Sequence, residues 1–339
     1  MSDVKYGLVV AFTENLGDDI QSLAALQFLP RVDYVIYREY MAKCMDMIRR
    51  EKEVKVIMNG WFMHLPNNWR IVENVKPLFI SFHWTYRKLP LHVKRDLKRY
   101  EPVGARDLYT QKLLAREGVK SYFSGCLTLT LDYGFSWLKD DSSRRRPIVL
   151  VDVPSTILDI VKRLSKEDVV VLSHHIVKYN VADRVVLHVT WLVCKIIRSL
   201  GVDEIADEVW RRIVVFVNLR KGAKIDLGNR FARALSYLYL YANAKCVITT
   251  RLHAALPAIA FGTPTLLLTK NPKDPRYAGL IRFVDYVKIG RGSQLDMVRK
   301  LKEFIEVSMS GEYTIRNIGE LRELKRKMIN VVRNFIEEA

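Results

Sequence analysis

Short apolar, β-branched runs alternate with segments of helical periodicity along the whole chain. In the first half this pattern predicts strands at 6–12, 33–37, 54–59, 77–82, 101–105 and 120–124. Helices fit between them at 18–29, 38–51, 90–99 and 107–117. The charged, serine-bearing stretch Lys139 to Pro147, closed by its proline, reads as a linker. A fresh series follows, with strands at 148–152, 168–172, 213–217, 246–249, 265–268 and 285–289. Its helices fall near 155–164, 184–199, 229–243, 251–261 and 294–307. Strands separated by helix-length segments build parallel sheets covered on both faces, so the expected fold class is α/β. The expected division is 1–143, 144–315 and a C-terminal helix within 316–339, placed to cross back onto the first half. Segment 184–212 is long for one crossover and reads as an insertion, with Trp191 and Trp210 as packing residues. Neither half carries G-x-G-x-x-G after its first strand, which argues against dinucleotide binding.

The junctions between strands and helices hold the chemistry. In Cys246–Pro257 an apolar run ends in Thr249-Thr250, and Arg251 and His253 then open a helix. A helix N-terminus already carries partial positive charge, so cations there do not serve helix stability. Free N–H groups beside a cation do make an anion site. Two readings of Arg251 stand: a clamp on an anionic ligand, or a partner for a carboxylate elsewhere in the fold. The first junction has the same layout, with strand 6–12, the polar turn Thr13–Asp19 and then a helix. Asp18 and Gln21 match a capping box, so Asp18 is either an N-cap or a catalytic carboxylate. Gly17 supplies a turn position or a close backbone approach. In open α/β sheets ligands bind outside the carboxyl ends of strands. Asn15–Asp18, Asn59-Gly60, Ser81–His83, Gly104–Arg106, Asp152, Ser173–His175, Asn218–Arg220 and Thr250-Arg251 all occupy such ends. Eight polar clusters placed this way predict one cleft between the halves.

The bulk numbers narrow the partners. At 339 residues, 49% hydrophobic and 27% charged, the chain suits two ordinary globular units. No basic start precedes the first apolar run, and Val185 to Ile197 is too short to span a bilayer, so a cytoplasmic location is expected. Cys44, Cys126, Cys194 and Cys246 lie far apart and are expected to be reduced thiols. A net charge of +18 fits a solvated basic surface, peripheral attachment to an anionic membrane, or anionic substrates. Nucleic acid ranks last, because basic and aromatic residues do not interleave and no zinc-finger spacing exists. No motif specifies an oligomeric state.

Several blocks resemble the polysaccharide pyruvyl transferase family. They are Asn15-Leu16-Gly17-Asp18 with Gln21, and Gly104-Ala105-Arg106-Asp107 running on to Leu113-Leu114 and Gly118. Thr250 to Ala254 followed by Phe261-Gly262-Thr263-Pro264 is a third. Gly60 to His64 and Tyr122 to Leu131 look like one branch of the family. The resemblance implies two Rossmann-like domains facing a cleft, similar to B-type glycosyltransferases. It also implies phosphoenolpyruvate as donor, a saccharide diol as acceptor, and no cofactor beyond the donor. The donor's phosphate and carboxylate need cations, best supplied as arginine forks, and Arg106 and Arg251 match. Thr250, Leu252, Asn15 and Gly17 complete the implied donor site. His253 would protonate the methylene carbon and Asp18 would take a sugar proton. Gln21, Asn59, His83 and Arg220 are candidates for the acceptor side of the cleft. No step requires a metal, and no metal-ligand spacing is present. Two alternatives remain: a nucleotide-sugar glycosyltransferase of the same fold, and a non-catalytic basic protein binding glycans or nucleic acid. Against the first, no acidic residue follows Arg251 until Asp274 to hold a ribose.

Overall fold

The structure, a computed structural model, describes residues 4–63, 65–140, 146–175, 227–290 and 294–338. The first half forms a six-stranded parallel sheet from β1 (Val4–Val10), β2 (Tyr34–Tyr37), β3 (Glu53–Trp61), β4 (Val75–His83), β5 (Val103–Ala105) and β6 (Ser121–Phe123). Its order is β2-β1-β3-β4-β5-β6. The second half gives a five-stranded parallel sheet from β7 (Ile148–Val151), β8 (Val169–Leu172), β9 (Cys246–Thr249), β10 (Thr265–Thr269) and β11 (Asp285–Lys288), ordered β11-β10-β9-β7-β8. Within each sheet the first strand lies between the second and third. The order in which strands are added therefore reverses beside β1 and again beside β7, leaving a crevice at both places. The expected strand 213–217, the insertion 184–212 with its tryptophans, Cys194 and Arg220 lie outside the described residues.

Among the described residues the helices are α1 (Leu16–Leu26), α2 (Met41–Met47), α3 (Leu91–Arg99), α4 (Leu108–Arg116), α5 (Leu131–Phe135), α6 (Ser155–Leu164), α7 (Leu227–Ala242), α8 (Leu252–Ala260), α9 (Gln294–Ser310) and α10 (Ile318–Glu337). Two expectations need correction. The predicted helix 38–51 is a 3-10 turn at 38–40 followed by α2, because Arg38 and Glu39 are buried as an ion pair at the strand end. Asp18 is not the cap of α1. The helix starts earlier, and Asn15 Oδ1 accepts from Gly17 N at 3.1 Å.

The largest apolar cluster runs between the sheets. It joins Leu8, Val10, Ile20 and Leu23 to Val149, Val151 and Val247 through α7, α8, α10 and the turn at 127–130. Separate clusters cover the outer faces, one around Trp69 and Trp84, the other around Ile148 and Phe304. The C-terminal helix α10 returns to the first sheet. There Lys55, buried on β3, donates to Phe335 O at 2.9 Å, placing its cation on the helix's unpaired C-terminal carbonyls. Cys44, Cys126 and Cys246 are free thiols, and burial pushes Cys246 up to about 12. No helix among the described residues is long and apolar enough to cross a membrane.

Candidate functional site

The two crevices face each other and enclose a cavity of about 470 Å³. The first sheet contributes Asn15, Asp18, Gln21, Trp61, His83, Thr85 and Arg106, and the second His174, Thr250, Arg251, Leu252, His253, Arg276 and Tyr277. The halves are laced together at its floor, where Leu16 N donates to His174 O at 2.8 Å. On α7, Arg230 reaches across, with Nε 2.8 Å from Asp19 Oδ1, Nη2 2.9 Å from Oδ2 and Nη1 2.8 Å from Thr13 O.

Helix α8 begins after β9 with Arg251 in the capping position and no side-chain cap. Gly17 sits directly beneath His253. A Cβ at Gly17 would lie 3.0 Å from His253 Cβ and Nδ1, so a larger residue there would push the two helix ends apart by a few tenths of an ångström. His253 is half-buried, its shielded Nε2 has no hydrogen-bond partner, and desolvation followed by the Arg106 cation lowers its pKa to about 3. The ring is therefore neutral in the empty site, whereas an acid must carry a proton. Arg106, at the end of β5, is 4% exposed, yet its Nε and Nη2 make no hydrogen bond. Its nearest opposite charge is Asp107 Oδ2, 3.4 Å from Nε. A buried guanidinium with two unused N–H groups on a cavity wall is costly unless a ligand completes it.

Arg251 differs. Its Nε donates to Asp152 Oδ2 at 2.6 Å and its Nη2 contacts His175 Nε2. Burial pushes the Asp152 carboxyl up, but Ser173, Arg251 and the His174 amide outweigh it and keep the group ionised. Both sequence readings of Arg251 thus meet in one residue: it is tethered to a carboxylate and it lines the cavity with Arg106. Asp18 also lines the cavity, but its oxygens are engaged. Thr13 Oγ1 donates to Oδ2 at 2.5 Å, Gln21 Nε2 to Oδ1 at 3.1 Å, and Arg38 Nη1 stands 3.5 Å from Oδ1. Asn59 is not on the cavity wall. Its Nδ2 ties β3 to α1 by donating to Gln21 O at 2.9 Å.

The structure brings together Asn15, Asp18, Gln21, His83, Arg106, Thr250, Arg251, Leu252 and His253, with Gly17 packed behind His253. It adds Arg276, which the sequence did not single out. Arg276 is held by both oxygens of Asp274, at 3.0 and 2.9 Å, in the turn after β10. Its one sequence signal is Asp274-Pro275-Arg276-Tyr277 following an apolar strand. Among the described residues no group of three or more His, Cys, Asp or Glu is arranged to hold a metal ion.

Two facing parallel sheets, with Arg106, Arg251 and Arg276 on the cavity wall between their strand ends, define an α/β architecture with a cation-lined cleft. Residues 15–271 match the polysaccharide pyruvyl transferase family model, and the chain belongs to that family. Membership makes it a transferase of the glycan-modifying class. No curated protein matches it. Among solved structures, a UDP-N-acetylglucosamine 2-epimerase is similar at 11% identity and TM-score 0.50, covering 98% of this chain and 96% of that one. The Methanocaldococcus jannaschii UDP-GlcNAc 2-epimerase in complex with UDP-GlcNAc and UDP gives 11% identity and TM-score 0.48, covering 97% and 99%. The E. coli ADP-heptose lps heptosyltransferase II gives 14% and 0.37, covering 91% and 99%. At these identities the likeness concerns the fold alone.

Proposed function

We propose that this protein moves the pyruvyl group of phosphoenolpyruvate onto two hydroxyls of a saccharide, giving a pyruvate ketal and phosphate. The observation that carries the reading is the polar lining of the cavity that makes no hydrogen bond: Nε and Nη2 of buried Arg106 and the shielded Nε2 of half-buried His253. A donor with a phosphate and a carboxylate supplies acceptors for both residues. Arg251, held in place by Asp152, adds a second cation on the same wall. Bound anions also reverse the electrostatics at His253. They offset Arg106 and favour the imidazolium, which then hands a proton to the methylene carbon. The acceptor enters from the first-sheet side, where Trp61 offers an apolar face and Gln21 and Thr85 offer hydrogen bonds. The test is phosphate release from phosphoenolpyruvate against a panel of glycosides and lipid-linked sugars. Acceptor-dependent release matched by ketal formation is expected. Consumption of a nucleotide sugar, with phosphoenolpyruvate untouched under every acceptor, overturns the reading.

A further inference from the structure

Ketal formation requires a group that takes a proton from the attacking hydroxyl. Asp18 is a poor candidate. Thr13 and Gln21 donate to its two oxygens and Arg38 stands 3.5 Å from one of them, so both oxygens already serve protein partners. The opposite wall holds a different arrangement. His83, the last residue of β4, lines the cavity with its ring buried. Its Nδ1 lies 2.6 Å from Oδ2 of the fully buried Asp107 and 3.3 Å from Thr110 Oγ1. The Thr110 hydroxyl donates to Trp84 O at 3.2 Å, so its oxygen presents a lone pair to the ring. The carboxylate 2.6 Å away, an ion-pair contact outside hydrogen-bond alignment, favours the proton on Nδ1 electrostatically and leaves the lone pair of the neutral ring on Nε2. No hydrogen bond to Nε2 is made among the described residues. Asp107 is fixed in turn: it caps α4, its Oδ1 accepting from Thr110 N at 2.8 Å. A buried carboxylate thus sets the tautomer of a histidine whose other nitrogen is left for a ligand.

We infer that His83, oriented by Asp107, is the base that deprotonates the acceptor hydroxyl, and that Asp18 is a positioning residue. The inference rests on the pyruvyl-transfer reading. In the first step the hydroxyl proton passes to His83 Nε2 and the oxygen bonds to C2 of the donor. The double-bond pair takes a proton from His253 at C3, converting methylene to methyl. In the second step the other hydroxyl bonds to C2 and its proton passes to His253. The C2–O bond to phosphate breaks, and phosphate leaves with the proton held by His83. Both histidines return to their starting states, and atoms and charge balance.

The charged and titratable groups facing His83 are Arg106 from β5, Asp107 from α4, Arg276 and Asp274 from the turn after β10, and His253 from α8. In the empty site burial and then Arg106 lower the His83 pKa to about 4, with Asp107 opposing. Donor anions against Arg106 offset its lowering effect on the ring and raise the His83 pKa, so the base becomes competent only after the donor binds.

Purified full-length His83→Gln and Asp107→Asn test this. Asparagine still caps a helix, but its amide N–H faces Nδ1 and drives the ring proton to Nε2. Each variant should bind phosphoenolpyruvate within about threefold of wild type and lose kcat by a factor of about 10²–10⁴. Each should also lose the acidic limb of the kcat–pH profile, while Asp18→Asn keeps that limb. A folded His83→Gln enzyme with the limb and kcat retained overturns the inference. So does loss of the limb in Asp18→Asn alone. Should His83→Gln fail to fold, full turnover by Asp107→Asn overturns it equally. A wild-type enzyme that releases no phosphate from phosphoenolpyruvate defeats the pyruvyl-transfer reading itself, and this inference with it. Activity in both wild type and His83→Gln defeats this inference alone.

Discussion

The N-termini of α1 and α8 meet across Gly17 and His253, and they are built in opposite ways. Both helices leave a parallel strand at the point where a sheet reverses its order. Helix α1 has Asn15 as its cap and Asp18 and Asp19 in its first turn, which complements the helix dipole. Asp19 also accepts the fork of Arg230. Helix α8 has Arg251 where a cap belongs, His253 in its first turn, and no acidic residue there. One end is satisfied by its own residues. The other keeps an electropositive edge, with unpaired nitrogens on His253 and on the neighbouring Arg106. On the proposed reading, the same backbone geometry serves stability on one side and ligand capture on the other. Substitutions at the two ends should separate these roles.

The largest effect is expected at His253. His253→Ala should lower turnover of donor-saturated enzyme by a factor of about 10²–10⁴, the worth of a positioned acid, with a smaller loss of donor affinity. The electrostatics add a sharper check. Burial and Arg106 hold the ring near a pKa of about 3, below its usual 6.5, so the empty enzyme carries no proton on it at pH 7. An acid role requires that donor binding raise this pKa through neutrality, and the complex must then take up about one proton. Uptake on binding means that donor affinity rises as pH falls from the pKa of the complex down to that of the empty enzyme, about 3. Calorimetric titration of phosphoenolpyruvate in buffers of different ionisation enthalpy reads this directly, and His253→Gln should abolish the uptake. Donor binding without proton uptake, or full turnover in folded His253→Ala, removes the acid role.

Arg251→Lys comes next. Lysine keeps the charge but cannot hold Asp152 and present a planar fork together. Donor affinity should weaken by about 1.5–3 kcal/mol, the range for charged hydrogen bonds. Stability should barely change, because the side chain is one-third exposed and Asp152 keeps the Ser173 hydroxyl and the His174 amide. Near wild-type affinity by calorimetry would falsify the clamp. A matched loss of stability would instead make Arg251 a structural brace for the end of β7.

Much of this site was legible in the sequence because strand ends are legible. Alternating apolar runs place Asn15, Arg106 and Arg251 after strands, and parallel sheets collect such ends on one edge. What escaped the sequence depends on which strands are neighbours. His83 ends β4 and Asp107 caps the helix that follows β5, and their contact follows from the pairing of those strands. Asp152 reaches Arg251 because β7 lies beside β9, a reversal of order that no local pattern encodes. Arg276 joins from a turn across the sheet. The cap of α1 failed for another reason. Asn15 and Asp18 are equally good capping residues three positions apart, and cap preferences this similar do not choose between them. Packing of Leu16, fully buried at the first helical position, decides for Asn15.

The smallest effect is expected at Asn15, and it closes the comparison. Asn15→Ala removes the acceptor for Gly17 N and should cost about 1 kcal/mol of stability, read as a lower denaturant midpoint at unchanged slope. Asn15→Ser restores an acceptor and should recover most of that loss. The tie between the halves at this point runs through the backbone, from Leu16 N to His174 O, and survives either change. Donor affinity should therefore hold in Asn15→Ala while stability falls, the reverse of Arg251→Lys. If donor affinity dropped instead and stability held, the α1 terminus would also be a ligand site. The contrast between the two helix ends would then give way to a single anion cradle shared by both.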